Sequence, residues 1–229
     1  MPKPVAVVTG ASRGIGRAIA LRLSHDFDIV GVARSDYELE SLAQEIEARG
    51  GSCRPRVVDI TNPEAVEAAL SGVEAQVLVN NAGVGTLKPF MELTRDDWMR
   101  MVNVNFNALF DVTRAVLPSM IARQSGHVVI IGSISGRSAY VGGTCYAATK
   151  HAAMAFSESL MLELRDSGVK VSIVNPGSVA THFSERSDKS WMLTPEDVAE
   201  SVAFMVNTPS DVLVHRVEIR TLTVPKKNG

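Results

Sequence analysis

Tyr146 and Lys150 stand four residues apart in the run Tyr146-Ala147-Ala148-Thr149-Lys150. On a helix that spacing puts both side chains on one face, so the ammonium can sit near the phenol. A neighbouring cation favours phenolate and is expected to lower a tyrosine pKa that starts near about 10, each unit being worth about 1.36 kcal/mol. A phenol tuned in this way moves protons near neutral pH. Ser133 precedes Tyr146 by thirteen residues, in Gly132-Ser133-Ile134-Ser135. There a hydroxyl can hydrogen-bond a substrate oxygen while the phenol protonates it. The bare Tyr/Lys pair is equally an ordinary helix face, and Ser133 is what turns the reading toward proton transfer.

A second constellation suits phosphate. Gly10, Gly14 and Gly16 fall in Thr9-Gly10-Ala11-Ser12-Arg13-Gly14-Ile15-Gly16, directly after an apolar run and before a helical stretch. Glycines there permit a tight turn and close approach of backbone to an anion, while the helix amino terminus offers free N–H groups and the positive end of its dipole. The spacing is GxxxGxG rather than GxGxxG, but the strand, turn and helix context holds. Arg34, after the second apolar run, and Arg13 are disposed to clamp the 2′-phosphate that distinguishes NADP from NAD. Asp36 lies where a ribose-binding acid would select NAD, and is read instead as a first-turn helix residue favoured by the dipole. Asp59 either accepts a hydrogen bond from an exocyclic amine or caps a turn. Asn80 and Asn81 suit a strand-end corner. Asn105 falls inside a helical stretch, where Asn is a poor helix former, and marks either a local kink with hydrogen bonds or mere surface. Pro176-Gly177 is either a plain turn or a place where backbone approaches a ligand.

The elements that must position these groups can be read from apolar runs. Val5 to Thr9, Ile29 to Ala33, Arg56 to Val58, Val77 to Asn80, Val128 to Ile131 and Val171 to Asn175 read as buried strands. Between them lie helices with start signals: Ser35 with Glu38 as a capping box, Asn62 before Pro63, and Thr194 before Pro195 with Asp197. Leu39, Leu42, Ala43 and Ile46 then form one apolar stripe. This alternation predicts an α/β fold, a doubly wound parallel sheet with helices on both faces and ligands at the carboxyl ends of the strands. One Rossmann-type domain over residues 1–229 is expected, with a substrate loop at about 178–194.

The chain has 229 residues, 45% of them hydrophobic and 21% charged, so it can bury a large core. Its 23 Lys plus Arg against 25 Asp plus Glu leave a net charge of -2, which gives no field to gather nucleic acid or anionic lipid. Lys226-Lys227 is a short solvated pair. Cys53 and Cys145 suggest neither a disulfide framework nor a metal site, and fit a reducing cytoplasm. The amino-terminal apolar run of about five residues is too short for a signal-peptide core or a membrane span.

Together, TGASRGIG (Thr9 to Gly16), NNAG (Asn80 to Gly83), Asn105, Ser133, YAATK (Tyr146 to Lys150) and NPGSVAT (Asn175 to Thr181) resemble the short-chain dehydrogenase/reductase family, from about Val5 to Thr181. The resemblance implies hydride transfer between a nicotinamide and a carbonyl or alcohol, in a homodimer or homotetramer. By the same resemblance Tyr146 would be the general acid/base, Ser133 would orient the substrate oxygen, and Lys150 would bind the nicotinamide ribose and depress the tyrosine pKa. Asn105 would hold a water in the proton relay. Gly10, Ser12, Arg13 and Ile15 would meet the cofactor's phosphates and backbone, Asp59 the adenine, Asn81 and Gly83 the adenosine side, and Thr181 the carboxamide. Gly14, Gly16, Ala82, Pro176, Gly177 and Val179 complete the expected cofactor contacts. Ala108 stands where the family often has Gly. Val217 to Pro225 resembles the final strand of the hydroxy-acid dehydrogenase and sepiapterin-reductase-like members.

The expected function is therefore NADPH-dependent reduction of a small carbonyl, reversible as alcohol oxidation. The rival from another class is a cofactor-binding regulator or scaffold without turnover, against which the intact Asn105, Ser133, Tyr146 and Lys150 set speaks. Ser135, Tyr140, Val141, Ser178, Phe183, Trp191 and Met192 are candidate pocket walls. His182 and His215 receive no role.

Overall fold

The computed structural model describes residues 3–181 and 190–223. Short β-branched runs form the strands: β1 (Val5–Thr9), β2 (Asp28–Ala33), β3 (Cys53–Val57), β4 (Ala75–Asn80), β5 (Gly126–Ile131), β6 (Val169–Pro176) and β7 (Arg216–Ile219). They make one seven-stranded sheet, ordered β3-β2-β1-β4-β5-β6-β7, with every neighbouring pair parallel. The order reverses between β1 and β4, which creates a crevice at their carboxyl ends. Registers Val7↔Val30, Val8↔Val79, Asn80↔Ile130 and Ile131↔Val174 bring the ends of five strands level along that crevice.

Helices α1 (Gly14–Leu23), α2 (Asp36–Ala48) and α7 (Pro195–Val206) cover one face. Helices α3 (Pro63–Leu70), α5 (Ala108–Ala122) and α6 (Thr144–Glu163) cover the other, and α4 (Arg95–Val102) runs into α5. The expected stripe of Leu39, Leu42, Ala43 and Ile46 is buried in the first of these two cores. Burying four such side chains removes enough apolar surface to contribute several kcal/mol, roughly 1.5–3 kcal/mol for each large aliphatic. The start signals hold with one difference. Thr194 and Asp197 form a reciprocal capping box, and Asn62 accepts from Ala65 N ahead of Pro63. Ser35 accepts from Glu38 N at 3.4 Å, so only this half of the capping box is formed.

Two strands differ from expectation. β3 spans Cys53–Val57 rather than Arg56 to Val58, because Arg54, Pro55 and Arg56 lie on an exposed sheet edge that tolerates charge and a missing N–H. The carboxyl-terminal strand is the opposite edge, as expected, but is confined to Arg216–Ile219, and Val224 and Pro225 lie outside the described residues. Of the substrate loop, His182 and Phe183 also lie outside them. Its flanks are tied by a parallel bridge between Val179 and Leu193, with Ala180 N donating to Leu193 O at 2.8 Å. Among the described residues no helix is long and apolar enough to cross a membrane, and no cluster of His, Cys, Asp and Glu could hold a metal ion. Cys53 and Cys145 are free and buried.

Candidate active site

The glycine loop is shaped by its neighbours. The Thr9 hydroxyl, at the end of β1, donates to Val79 O at 3.3 Å and accepts from Asn81 N at 3.0 Å and Ala82 N at 3.1 Å. Asn81 Nδ2 donates to Thr9 O at 2.8 Å and to Gly10 O at 3.4 Å. These bonds fasten the loop after β4 to the loop after β1. Gly10 and Gly14 have φ of +66° and +55°, the left-handed region where a side chain is strained. At Gly16 a Cβ would lie 2.2 Å from Gly10 O, so the turn closes only with glycine there. α1 then begins with no side-chain cap on Arg13 and no acid in its first turn. Its leading N–H groups therefore face the crevice, which suits an anion. Ser12 and Ile15 flank the turn half-buried. Thr181 lies across it, since a Cβ on Gly14 would come 3.4 Å from Thr181 Cγ2. Thr181 N donates to Val179 O at 2.9 Å, and Gly177 N, after Pro176, donates to Ile219 O at 2.8 Å. The loops after β1, β4 and β6 thus meet at one place.

Arg13 and Arg34 are exposed on adjoining loops, joined by Ala11 N donating to Val32 O at 3.2 Å. Neither forms an ion pair with a described residue. Two unpaired guanidinium groups beside a helix amino terminus fit a phosphate. Asp36 is exposed in the first turn of α2, in keeping with the dipole reading. Asp59 accepts from Thr61 N at 3.0 Å and Thr61 Oγ1 at 2.8 Å; these bonds, with a smaller contribution from Arg34, hold its carboxyl below the usual range.

The proton-transfer residues gather beside this cradle. Ser133 follows β5 with extended backbone; its N–H donates to Asn175 Oδ1 at 3.1 Å, and its Oγ accepts from Ser135 N at 3.1 Å. Asn175 is 2% exposed and fixes the Ser133 turn from β6. A Cβ on Gly132 would lie 2.2 Å from that same Oδ1, which is why Gly precedes the serine. Tyr146, in the first turn of α6, has Ser133 as a hydrogen-bonding neighbour. Lys150 is 6% exposed; its Nζ donates to Ile131 O at 2.9 Å and sits 5.8 Å from the centre of the Tyr146 ring. Gly83 lies between this ammonium and Asn105, its position coming within 3.8 Å of Lys150 Nζ and 3.5 Å of Asn105 Oδ1 for an added Cβ. A cavity of about 20 Å³ is lined by Thr9, Asn80, Asn105 and Lys150 among others. It has room for about one water and polar groups to hold it.

One expectation is corrected here. Burial pushes the Tyr146 phenol up to about 12, against a lowering by Ser133 and with a further rise from Tyr140, so the phenol is raised overall rather than depressed. The ammonium lies against the ring and a carbonyl rather than holding phenolate, and burial lowers Lys150 itself to about 8. Asn81 turns its amide to the glycine-loop backbone. Asn105 is buried in a π turn, Asn103–Asn107, that joins α4 to α5, which is the kink rather than the surface reading. Its side chain accepts from Val84 N at 2.8 Å and donates to Val84 O at 2.8 Å and Thr149 Oγ1 at 3.1 Å. Both amide hydrogens are committed to the protein. Sequence reasoning had not singled out Thr9 and Asn175 as positioning groups; a Thr and an Asn at strand ends were the available signals.

The family profile described as short chain dehydrogenase matches residues 4–191. The NADP-dependent 3-hydroxy acid dehydrogenase YdfG of Salmonella typhi is 34% identical over 239 aligned positions, covering 96% of this chain and 95% of that protein. A closed form of serine dehydrogenase complexed with NADP+ superposes with a TM-score of 0.91 at 31% identity, covering 97% of each chain. The alcohol dehydrogenase of Thermococcus sibiricus, complexed with 5-hydroxy-NADP, does so at 0.90 and 30% identity, covering 98% of this chain and 99% of that one.

Proposed function

This chain belongs to the short-chain dehydrogenase/reductase family, and on that premise we propose how its residues carry out reversible hydride transfer between NADP(H) and a small carbonyl or alcohol. It is an NADP-dependent oxidoreductase. The observation that carries the assignment of roles is the meeting of Ser133, Tyr146 and Lys150 beside the Gly10–Gly16 turn, on one carboxyl edge of the sheet. The turn fits a dinucleotide: its glycines leave backbone bare, α1 is uncapped, and Arg13 and Arg34 are unpaired cations for the 2′-phosphate. Ile15, Thr181 and the backbone at 177–179 line the approach, with Asp59 toward the adenine end. When bound, NADPH supplies the hydride.

The chain's own residues handle the oxygen. Ser133 and Tyr146 receive the carbonyl oxygen between two hydroxyls, and the Tyr146 Oη proton passes to it as negative charge develops there. A phenol raised to about 12 is protonated at neutral pH and is ready to donate. Lys150 places a positive charge under the ring, which stabilises the phenolate left behind. The small cavity beside Lys150 and Asn105 offers a water through which that proton is restored. Asn105 acts as a positioning residue through Val84.

The assay is NADPH consumption with a panel of ketones. Tyr146→Phe is expected to lower kcat by about 10²–10⁴-fold while NADPH binding persists; undiminished turnover would overturn the acid/base role. A cytoplasmic location is part of the reading, supported by the two unpaired, buried thiols of Cys53 and Cys145. So is a homodimer or homotetramer, supported by exposed Phe106 and Phe110 beside Phe156 around an open cavity on the α5 and α6 side. A monomeric mass by light scattering would contradict it.

A further inference from the structure

We propose that Asp97 is a positioning residue for the reaction: through Lys88 it holds the start of α6, and so sets where the Tyr146 hydroxyl meets the substrate oxygen. The inference rests on the carbonyl-reductase reading and adds to it a residue outside the site already described.

The helix that carries Tyr146 begins with little of its own to fix it. No side chain caps α6, and no acid stands in its first turn. Gly142, at φ +80°, and Gly143 lead into it, and glycine restrains a backbone least. Tyr146 is the third residue of the helix, so a shift of that start reaches its phenol. The restraint comes instead from across the crevice. Lys88 N donates to Gly142 O at 3.1 Å, and Cys145 Sγ donates to Trp98 O at 3.7 Å. Both contacts lead back to α4, since Trp98 belongs to it and Lys88 Nζ donates to Asp97 Oδ2 at 3.0 Å.

The segment from Gly83 to Lys88 is therefore a brace that touches the catalytic helix at two places. At one end a Cβ on Gly83 would lie 3.8 Å from Lys150 Nζ, and at the other Lys88 meets Gly142. Between them alternate residues are tied to α4 and the π turn. Val84 is held by Asn105, while Thr86 N donates to Met101 Sδ at 3.3 Å and Thr86 Oγ1 accepts from Arg100 at 2.7 Å. Asp97 supplies the outermost tie, by charge. An exposed ion pair is ordinarily worth little, but this carboxylate is already fixed by its own helix. Its Oδ2 accepts from Thr94 N at 3.3 Å while Asp97 N donates to Thr94 Oγ1 at 3.0 Å, the reciprocal box that starts α4. The Asp97 side chain is 18% exposed, against 43% for Lys88. Lys88 first, and then the Thr94 bonds, hold its carboxyl below the usual range, so the tie is charged at neutral pH.

The test uses a ketone that the parent reduces and compares the parent with Asp97→Asn, Lys88→Met, the double variant and Lys88→Arg. Asp97→Asn keeps an oxygen for Thr94 N, so the cap survives while the charge is lost. A 1 Å misplacement of a reacting group costs on the order of 10²-fold in rate; a loosened start of α6 should lower kcat about tenfold in each single variant, with NADPH affinity within about twofold of the parent. The solvent deuterium isotope effect on kcat should grow, because proton donation by Tyr146 becomes limiting. The double variant should be no slower than either single one, since both break the same tie, and Lys88→Arg should keep the parent's kcat. An unchanged kcat in both single variants, even with a lower melting temperature, would make the pair merely structural and overturn the role. Losses that multiply in the double variant, or an isotope effect that stays flat, would overturn it as well. Failure of the parent to reduce any ketone would instead overturn the reductase reading beneath it.

Discussion

Replacing Lys150 by Met removes a charge that the fold buries, and the effect is readable as a pH dependence of stability. The ammonium is 6% exposed and has one hydrogen bond, to Ile131 O. Burial lowers its pKa from 10.5 to about 8. The charged form is thus disfavoured in the folded state relative to the unfolded one. Below pH about 8 the whole penalty applies, and it disappears as pH rises toward the unfolded value of 10.5. At about 1.4 kcal/mol per pH unit the penalty at neutral pH is ~3 kcal/mol. Near about pH 9.5 less than half of it remains, so the parent should gain ~2 kcal/mol on Lys150→Met over that interval. Urea denaturation of both proteins without nucleotide, at neutral pH and near about pH 9.5, measures this difference. Subtraction removes the effect of Cys53, raised to about 11, which both proteins share, and Tyr146, raised to about 12 in the folded parent, stays protonated there at both pH values. A difference that stays flat with pH would mean that Lys150 is hydrated or paired in the folded protein, and the reasoning from its burial would fail.

Other outcomes are expected. Arg34→Ala should weaken NADPH about tenfold or more, the loss of a charge-assisted bond of roughly 1.5–3 kcal/mol, and leave NADH affinity within about twofold; calorimetric titration of both cofactors decides, and an equal loss for both would refute the clamp. Thr9→Val removes the hydroxyl that serves Val79, Asn81 and Ala82, and should cost about 1–3 kcal/mol in denaturation experiments. A neutral result there would show that the loop after β4 is held by Asn81 alone.

Much of the site was legible because its residues follow strands, and strands are marked by β-branched runs. Gly10, Gly14 and Gly16 could be read as a turn, and the structure adds only the clash that makes Gly16 obligatory. Asn105 stood out as a poor helix former, and the π turn accounts for it. β3 was misplaced because Arg54, Pro55 and Arg56 carry edge chemistry that masks a strand pattern. The Tyr146 titration was misjudged for a different reason. A four-residue spacing shows that an ammonium is near a phenol but says nothing of how deeply either is buried, and here burial outweighs proximity. Thr9 and Asn175 escaped because these partners are backbone groups in loops that follow other strands, separated by 72 and 42 residues. Such long-range bonds leave no local signature.

Pro55 has a consequence beyond the placement of β3. Val58 N donates to Ala33 O, and by the two-residue alternation of a parallel ladder Pro55 turns its nitrogen away from β2, toward the outer rim. The middle of that rim lacks a donor and is flanked by two guanidinium side chains. A strand from another molecule finds neither continuous hydrogen bonding nor a neutral surface there, so this border of the sheet resists templated association. Any sheet shared across two subunits would have to be built at β7.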